Sequence, residues 1–477
     1  MTNHVNRRTF LKGSGTVLGG IAAGTTVVAA ERTDRFIVQT KENRRLRGLE
    51  VVHEMPGVDV AVVRGAESAV KRSSAVRAYA PDVEIELRDP SVNEAAPSAA
   101  AASVTDEPLY PLQWDKQDLD VSTAQETTTG EGTRVAVIDT GVAAGHPELD
   151  VNTGLSRTFT GDGLGAGVPA GGYHGTHVGG IVAARADNEL GVTGTAPGTD
   201  LVDCRVFSPG ALASFGDILA AIVYSAAIGA DVANLSIGAY PVSREGLGSF
   251  YGKVLNRTTT YANSEGTLLV VSAGNALADL QHDGRVCVET EDGSLECFAA
   301  ISLPNEGAQA MSIAATGPVG FGWDADGDGS ANEFTDLESP PESPAFYTNY
   351  GTNAIDLAAP GGDAHVPTPE ADPDDDGVDE VPWYFDLVLN TLAEPTYETD
   401  DDGTVTGIAD VAYGYTWAAG TSMAAPQVAG AAALVKSANP DYTANQVESA
   451  LEGAASVPAG YGKEYYGSGY LNVVDAL

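Results

Sequence analysis

Two four-residue runs, Val135-Ala136-Val137-Ile138 and Leu268-Leu269-Val270-Val271, constrain the fold most. Each is apolar without alternation and too short for a helix, the pattern of a parallel strand buried on both faces. Asp217 to Ile228 and Ser422 to Ser437 carry apolar residues at helical spacing instead. Strands alternating with helices predict an α/β fold, a parallel sheet sandwiched by helices, from about residue 106 to 477. In such sheets ligands bind beyond the carboxyl ends of the strands. Asp139 and Asn275 fall just after the two runs.

The N-terminus reads Asn6-Arg7-Arg8-Thr9-Phe10-Leu11-Lys12, followed by a mildly apolar, Gly-rich stretch to Ala30. Paired arginines before a weak hydrophobic region are the pattern of a twin-arginine export signal over residues 1–30. No 18-residue apolar run follows, so no spanning helix is expected beyond it. Residues 31–90 read as a small α/β module, with strands around 36–38, 58–63 and 83–87 and a short helix within 66–78. The alanine-rich stretch 91–105 is a linker by composition.

Charge separates these parts. The chain carries 25 Lys/Arg and 66 Asp/Glu, a net of -41. Residues 1–105 hold 14 basic and 12 acidic side chains, so the remainder holds 11 and 54. A body this acidic repels phosphate backbones and anionic membranes, which excludes nucleic-acid binding and membrane association after export. Self-repulsion destabilises such a fold in ordinary salt and is screened at molar salt, where the Debye length is about 3 Å. The composition therefore points to a salt-loving source. Three cysteines are too few for a disulfide framework. Cys287 and Cys297 flank a hairpin-turn sequence, Glu291-Asp292-Gly293-Ser294, and an exported protein allows either a bridge or two free thiols there. Cys204 reads as a buried strand residue.

Four short blocks carry chemistry. Val137-Ile138-Asp139-Thr140-Gly141 puts a carboxylate at a strand end. His174-Gly175-Thr176-His177-Val178-Gly179-Gly180 offers an imidazole at a helix start, with glycines for close packing; His177 reads as structural, because no metal-binding spacing follows. Ala419-Gly420-Thr421-Ser422-Met423-Ala424-Ala425-Pro426 puts a hydroxyl at a helix N-terminus, where backbone N–H groups favour negative charge. Val271-Ser272-Ala273-Gly274-Asn275 supplies a side-chain amide. Carboxylate, base, nucleophile and oxyanion donor are the four parts that serine-dependent acyl transfer requires.

These blocks, in the order Asp, His, Asn, Ser, resemble those of the subtilase family from about residue 106 onward. His146-Pro147-Glu148-Leu149, Gly191 to Pro197, Asp356 to Gly361 and Gly467 to Asn472 extend the similarity. With the acidity and the export signal, the chain looks most like the halolysin-type enzymes. The resemblance implies a secreted serine endopeptidase that acts as a monomer on protein and peptide substrates. Asp139, His174 and Ser422 would be its triad and Asn275 its oxyanion donor. It implies that Ser236, Ile237 and Gly238, with Gly274, bind the substrate backbone. It also implies that residues 31–90 are a propeptide that assists folding and inhibits until clipped.

Calcium is the expected cofactor. Asp324, Asp326 and Asp328, then a glycine, begin as a calcium loop does, and Asp372, Asp374 and Asp376 repeat the pattern. Glu398 to Gly403 does so less clearly, and none of the three has a glutamate at position twelve. The resemblance separately places Glu148 and Asn188 at the family's own calcium site. All three acidic loops fall in insertions at about 317–415. A catalytically silent, calcium-dependent binding protein on the same scaffold is the alternative, disfavoured because each catalytic position is filled.

Overall fold

The computed structural model describes residues 25–28, 34–41, 46–87, 107–243, 248–281, 285–289, 295–323, 333–363 and 383–477. Seven strands make the central sheet: β1 Arg134–Asp139, β2 Arg157–Thr158, β3 Asp200–Arg205, β4 Val232–Leu235, β5 Leu268–Ser272, β6 Ala310–Thr316 and β7 Leu357–Pro360. Their order is β7-β6-β5-β4-β1-β3-β2, and every neighbouring pair is parallel. Successive side chains of a strand face opposite sides. Val135, Val137, Leu268 and Val270 therefore enter one core, and Ala136, Ile138, Leu269 and Val271 the other. Both faces are dry, which is why the two runs show no polar alternation.

Helices α1 His174–Ala183, α4 Thr421–Ala438 and α5 Ala444–Ala454 cover the first face. Helices α2 Phe215–Ala227 and α3 Gly248–Ser264 cover the second. The α/β sandwich expected from the sequence is present.

The N-terminal module is a four-stranded antiparallel sheet in the order Glu50–Met55, Val60–Arg64, Arg35–Thr40, Val76–Pro81, with a helix at Glu67–Arg72. The helix expected within 66–78 stops at Arg72, because Ser73 turns to extended backbone and a strand begins at Val76. Strand Glu50–Met55 carries little apolar signal, since only Met55 is buried. Strand Glu84–Leu87 leaves this sheet. It pairs antiparallel with Leu212–Ser214 of the body and with Thr25–Val28. At the contact between module and body, Arg35 engages Asp82 and Asp217, His53 Nε2 lies 2.7 Å from Asp217 Oδ1, and the Gly216 amide donates to Asp82 at 2.8 Å.

A long hairpin, Val388–Thr399 with Val405–Ala418, forms much of the described acidic insertion and lies over α1. The Thr391 hydroxyl donates to the Thr176 carbonyl at 2.8 Å, and a Cβ on Gly180 would stand 2.1 Å from the Asn390 side chain. At its tip Asp400 accepts from the amides of Asp402 and Thr404. Cys287 and Cys297 face each other across a second hairpin and are bonded, while Cys204 is buried and free.

Candidate active site

Asp139 closes β1 and is fully buried. Its Oδ1 accepts from the Thr140 amide at 2.7 Å and lies 2.8 Å from His174 Nδ1. The imidazole reaches this carboxylate because α1 starts hard against the turn after β1. Gly141 there has φ +116, and a Cβ on Gly175 would stand 2.9 Å from the Gly141 backbone. Thr140 completes the joint: its hydroxyl donates to the Gly172 carbonyl at 3.0 Å and accepts from the Gly175 amide at 2.8 Å.

Ser422 sits in the first turn of α4. Its hydroxyl donates to the Ser236 carbonyl at 3.2 Å, and the Ser236 hydroxyl donates to the Ser422 carbonyl at 2.7 Å. Gly420 is needed for space rather than for an unusual turn. Its backbone is extended, and a Cβ would stand 3.3 Å from Asn275 Nδ2. Asn275 Oδ1 accepts from the Thr421 amide at 2.9 Å and the Thr421 hydroxyl at 2.8 Å. With the carbonyl side of its amide engaged, the NH₂ is turned toward Gly420 and the N-terminus of α4. Asn349 holds the loop from behind, donating to the Ala273 carbonyl at 2.8 Å and accepting from the amides of Ala276 and Ala278. Thr421 and Asn349 went unassigned at the sequence level. Thr421 lies inside a motif, but Asn349 carries no local signal.

Ser236, Gly238, Gly274, Asn275 and Ser422 line one pocket, with Leu87 of the module in its wall. The Ile237 side chain is buried in the core instead. His177 is buried, its Nε2 lies 3.1 Å from the Thr416 carbonyl, and burial beside His174 lowers its pKa to about 3. It is therefore a neutral structural histidine, as its spacing suggested.

The metal candidates divide. Asp324, Asp326, Asp328, Asp372, Asp374 and Asp376 lie outside the described residues. Glu148 and Asn188 do meet, but as partners of each other. Asn188 Nδ2 donates to Glu148 Oε2 at 2.8 Å, while the Val192 amide and the Tyr415 hydroxyl donate to Oε1 at 3.2 and 2.7 Å. Asn188 Oδ1 in turn accepts from the Leu190 amide at 2.9 Å. These oxygens all face hydrogen donors, whereas calcium takes six to eight oxygen ligands. As arranged, the pair does not fit a calcium cage. Among the described residues no group of three or more His, Cys, Asp or Glu converges as a metal site.

The sequence profile described as the subtilase family matches residues 130–469, which span every one of these blocks. The chain belongs to the subtilase family. It is 28% identical over 348 residues to Subtilisin Savinase of Lederbergia lenta, covering 72% of this chain and 90% of that one. It is 29% identical over 320 residues to Halolysin of Haloferax mediterranei, covering 65% of this chain and 50% of that one. At that identity the halolysin-like type is not set apart from other subtilases. Among solved structures, the Epidermin Leader Peptide Processing Serine Protease of Staphylococcus aureus superposes with a TM-score of 0.64 at 20% identity, over 93% of this chain and 99% of that one. That likeness is one of fold. As a subtilase the protein is a serine-type endopeptidase. No described helix is long and apolar enough to cross a membrane.

Proposed function

We propose that this subtilase hydrolyses peptide bonds of extracellular proteins with Ser422 as nucleophile, His174 as general base and Asp139 as its orienting carboxylate. To react, the Ser422 hydroxyl gives up the Ser236 carbonyl and passes its proton to His174 Nε2 as Oγ bonds to the substrate carbonyl carbon. Asp139 holds Nδ1–H and so fixes the tautomer that leaves Nε2 basic. The Asn275 NH₂ and the Ser422 amide receive the oxyanion. His174 then returns the proton to the leaving amine, and water releases the acyl group by the same steps reversed. The observation that carries the reading is the buried 2.8 Å Asp139–His174 contact at the sheet's carboxyl edge.

Residues 31–90 act in this proposal as a self-inhibiting propeptide. Strand Glu84–Leu87 adds to the edge strand Leu212–Ser214, as extended peptides do in β-augmentation, and brings Leu87 into the wall of the Ser422 pocket. Export by the twin-arginine route, a halophilic source and calcium bound by the loops around Asp324 and Asp372 complete the reading. They are supported by the paired arginines and by the concentration of acidic residues in the body.

Ser422→Ala tests the core of it. The variant is expected to leave casein uncut and to accumulate as an unclipped precursor when made without other proteases. Casein hydrolysis at the wild-type rate would remove Ser422 from the mechanism.

A further inference from the structure

Lys116 is completely buried and takes no part in the chemistry above. It lies in the short helix Trp114–Asp118 at the start of the body. Its Nζ donates to the Ile181 carbonyl at 3.1 Å, the Thr195 hydroxyl at 2.8 Å and Gln427 Oε1 at 2.6 Å. An ammonium has three donors, and all three are used. Gln427 Nε2 donates to Asp115 Oδ2 at 2.6 Å, and that oxygen stands 3.6 Å from Nζ. Thr195 closes the ring, its hydroxyl donating to Gln427 Oε1 at 3.1 Å and its amide to the Ile181 carbonyl at 2.9 Å.

The partners matter because of where they sit. Ile181 is on α1, the helix that begins at His174. Gln427 is on α4, five residues past Ser422. An apolar peg of the same volume could fill the gap between these helices. It would not fix their rotation, whereas short directional hydrogen bonds weaken steeply with misalignment.

We propose that Lys116 is a positioning residue that sets the registry of α1 against α4, and thereby the approach of the Ser422 hydroxyl to the His174 imidazole. This rests on the reading of those two residues as nucleophile and base. Displacing a reacting group by about 1 Å costs on the order of 10²-fold in rate, so a loosened joint is felt in kcat rather than in substrate binding. The titratable groups facing Lys116 are Asp115 on its own helix and His177 on α1, the latter neutral. Burial lowers the ammonium's pKa to about 8 against the pull of Asp115. Above that pH the joint loses its charge and one donor.

The test is Lys116→Met in the full chain, matured, with working sites counted by titration with a stoichiometric serine-directed inhibitor. Per titrated site, kcat is expected to fall about 10–100-fold while KM changes less than about two-fold. Wild-type kcat is also expected to fall as pH rises through about 8, where the joint loses its charge, and the variant should not show that fall. A kcat per site within two-fold of wild type overturns the proposal, whatever the yield. Should that variant not mature, Thr195→Val keeps the shape and removes one partner. It should lose about 3–10-fold in kcat, the scale of one hydrogen bond, and an unchanged kcat overturns the proposal equally. Failure of the underlying reading is distinguishable, because wild-type enzyme would then not take up the inhibitor at all.

Discussion

At the scale of single residues, Asn275 is aimed by its neighbours. Two donors from Thr421 occupy its carbonyl oxygen, so the amide cannot turn over without losing both bonds. Removing one preorganised oxyanion donor costs about 10²–10³ in kcat, a scale known from subtilisin itself. Asn275→Ala is therefore expected to lose that much in kcat with KM nearly unchanged. A parallel rise in KM would mean that the amide also binds ground-state substrate. Asp139, His174, Asn275 and Ser422 were legible in the sequence because each sits in a contiguous block whose glycines serve the same turn. Lys116, Asn349 and Tyr415 were not. Their hydrogen bonds run to residues far along the chain, and nothing beside them in sequence marks the partner.

At the scale of elements, the buried strands announced themselves and the half-exposed ones did not. β1 and β5 are apolar on both faces, so four residues sufficed. Val76–Pro81 went unrecognised, and its first three residues fell in the range expected for a helix, because its alternation is weak and its only fully buried residue is Ala80. The pairing of Glu84–Leu87 with the body depends on a partner more than a hundred residues away, which periodicity cannot supply. The acidic insertion hides a further joint. Asp386 is fully buried and its Oδ1 accepts from the amides of Gly320 and Phe321 at 2.9 and 2.8 Å, tying the start of the insertion to the segment that leads into its long hairpin. Burial raises its pKa to about 8, with Asp363 and Glu338 adding repulsion. The folded state thus holds a proton that the unfolded chain releases near pH 4. This contribution is complete below that pH and is lost as pH rises through 8. Asp386→Asn keeps both accepted bonds without the charge. It should raise Tm by several degrees at pH 9 and change it little at pH 4. An equal shift at both pH values would show that titration of Asp386 is not the cause.

At the scale of the whole molecule, the decisive quantity is the imbalance of 54 acidic against 11 basic side chains after residue 105. The module does not share it: residues 31–90 hold 11 basic and 11 acidic side chains, so in the proposed maturation its release would raise the charge per residue and leave the net charge unchanged. Few cations are available to pair those carboxylates. Two of the basic groups, Lys116 and Arg205, are buried inside and cannot serve the surface. Repulsion between exposed carboxylates reaches over about 10 Å at 0.1 M salt and about 3 Å at 1 M. Raising KCl from 0.1 to 2 M is therefore expected to lift the Tm of the mature enzyme by about 5 °C or more, roughly 4 kcal/mol for a domain this size. The precursor should gain by a similar amount, since the module only adds charge-balanced surface. Screening acts without specificity, so NaCl should match KCl at equal ionic strength. A calcium contribution would instead saturate at millimolar CaCl₂ and be reversed by chelator at constant ionic strength. Running both titrations separates the two causes. A melting temperature indifferent to salt, with chelator absent and present, would mean that the carboxylates are spaced widely enough not to oppose folding.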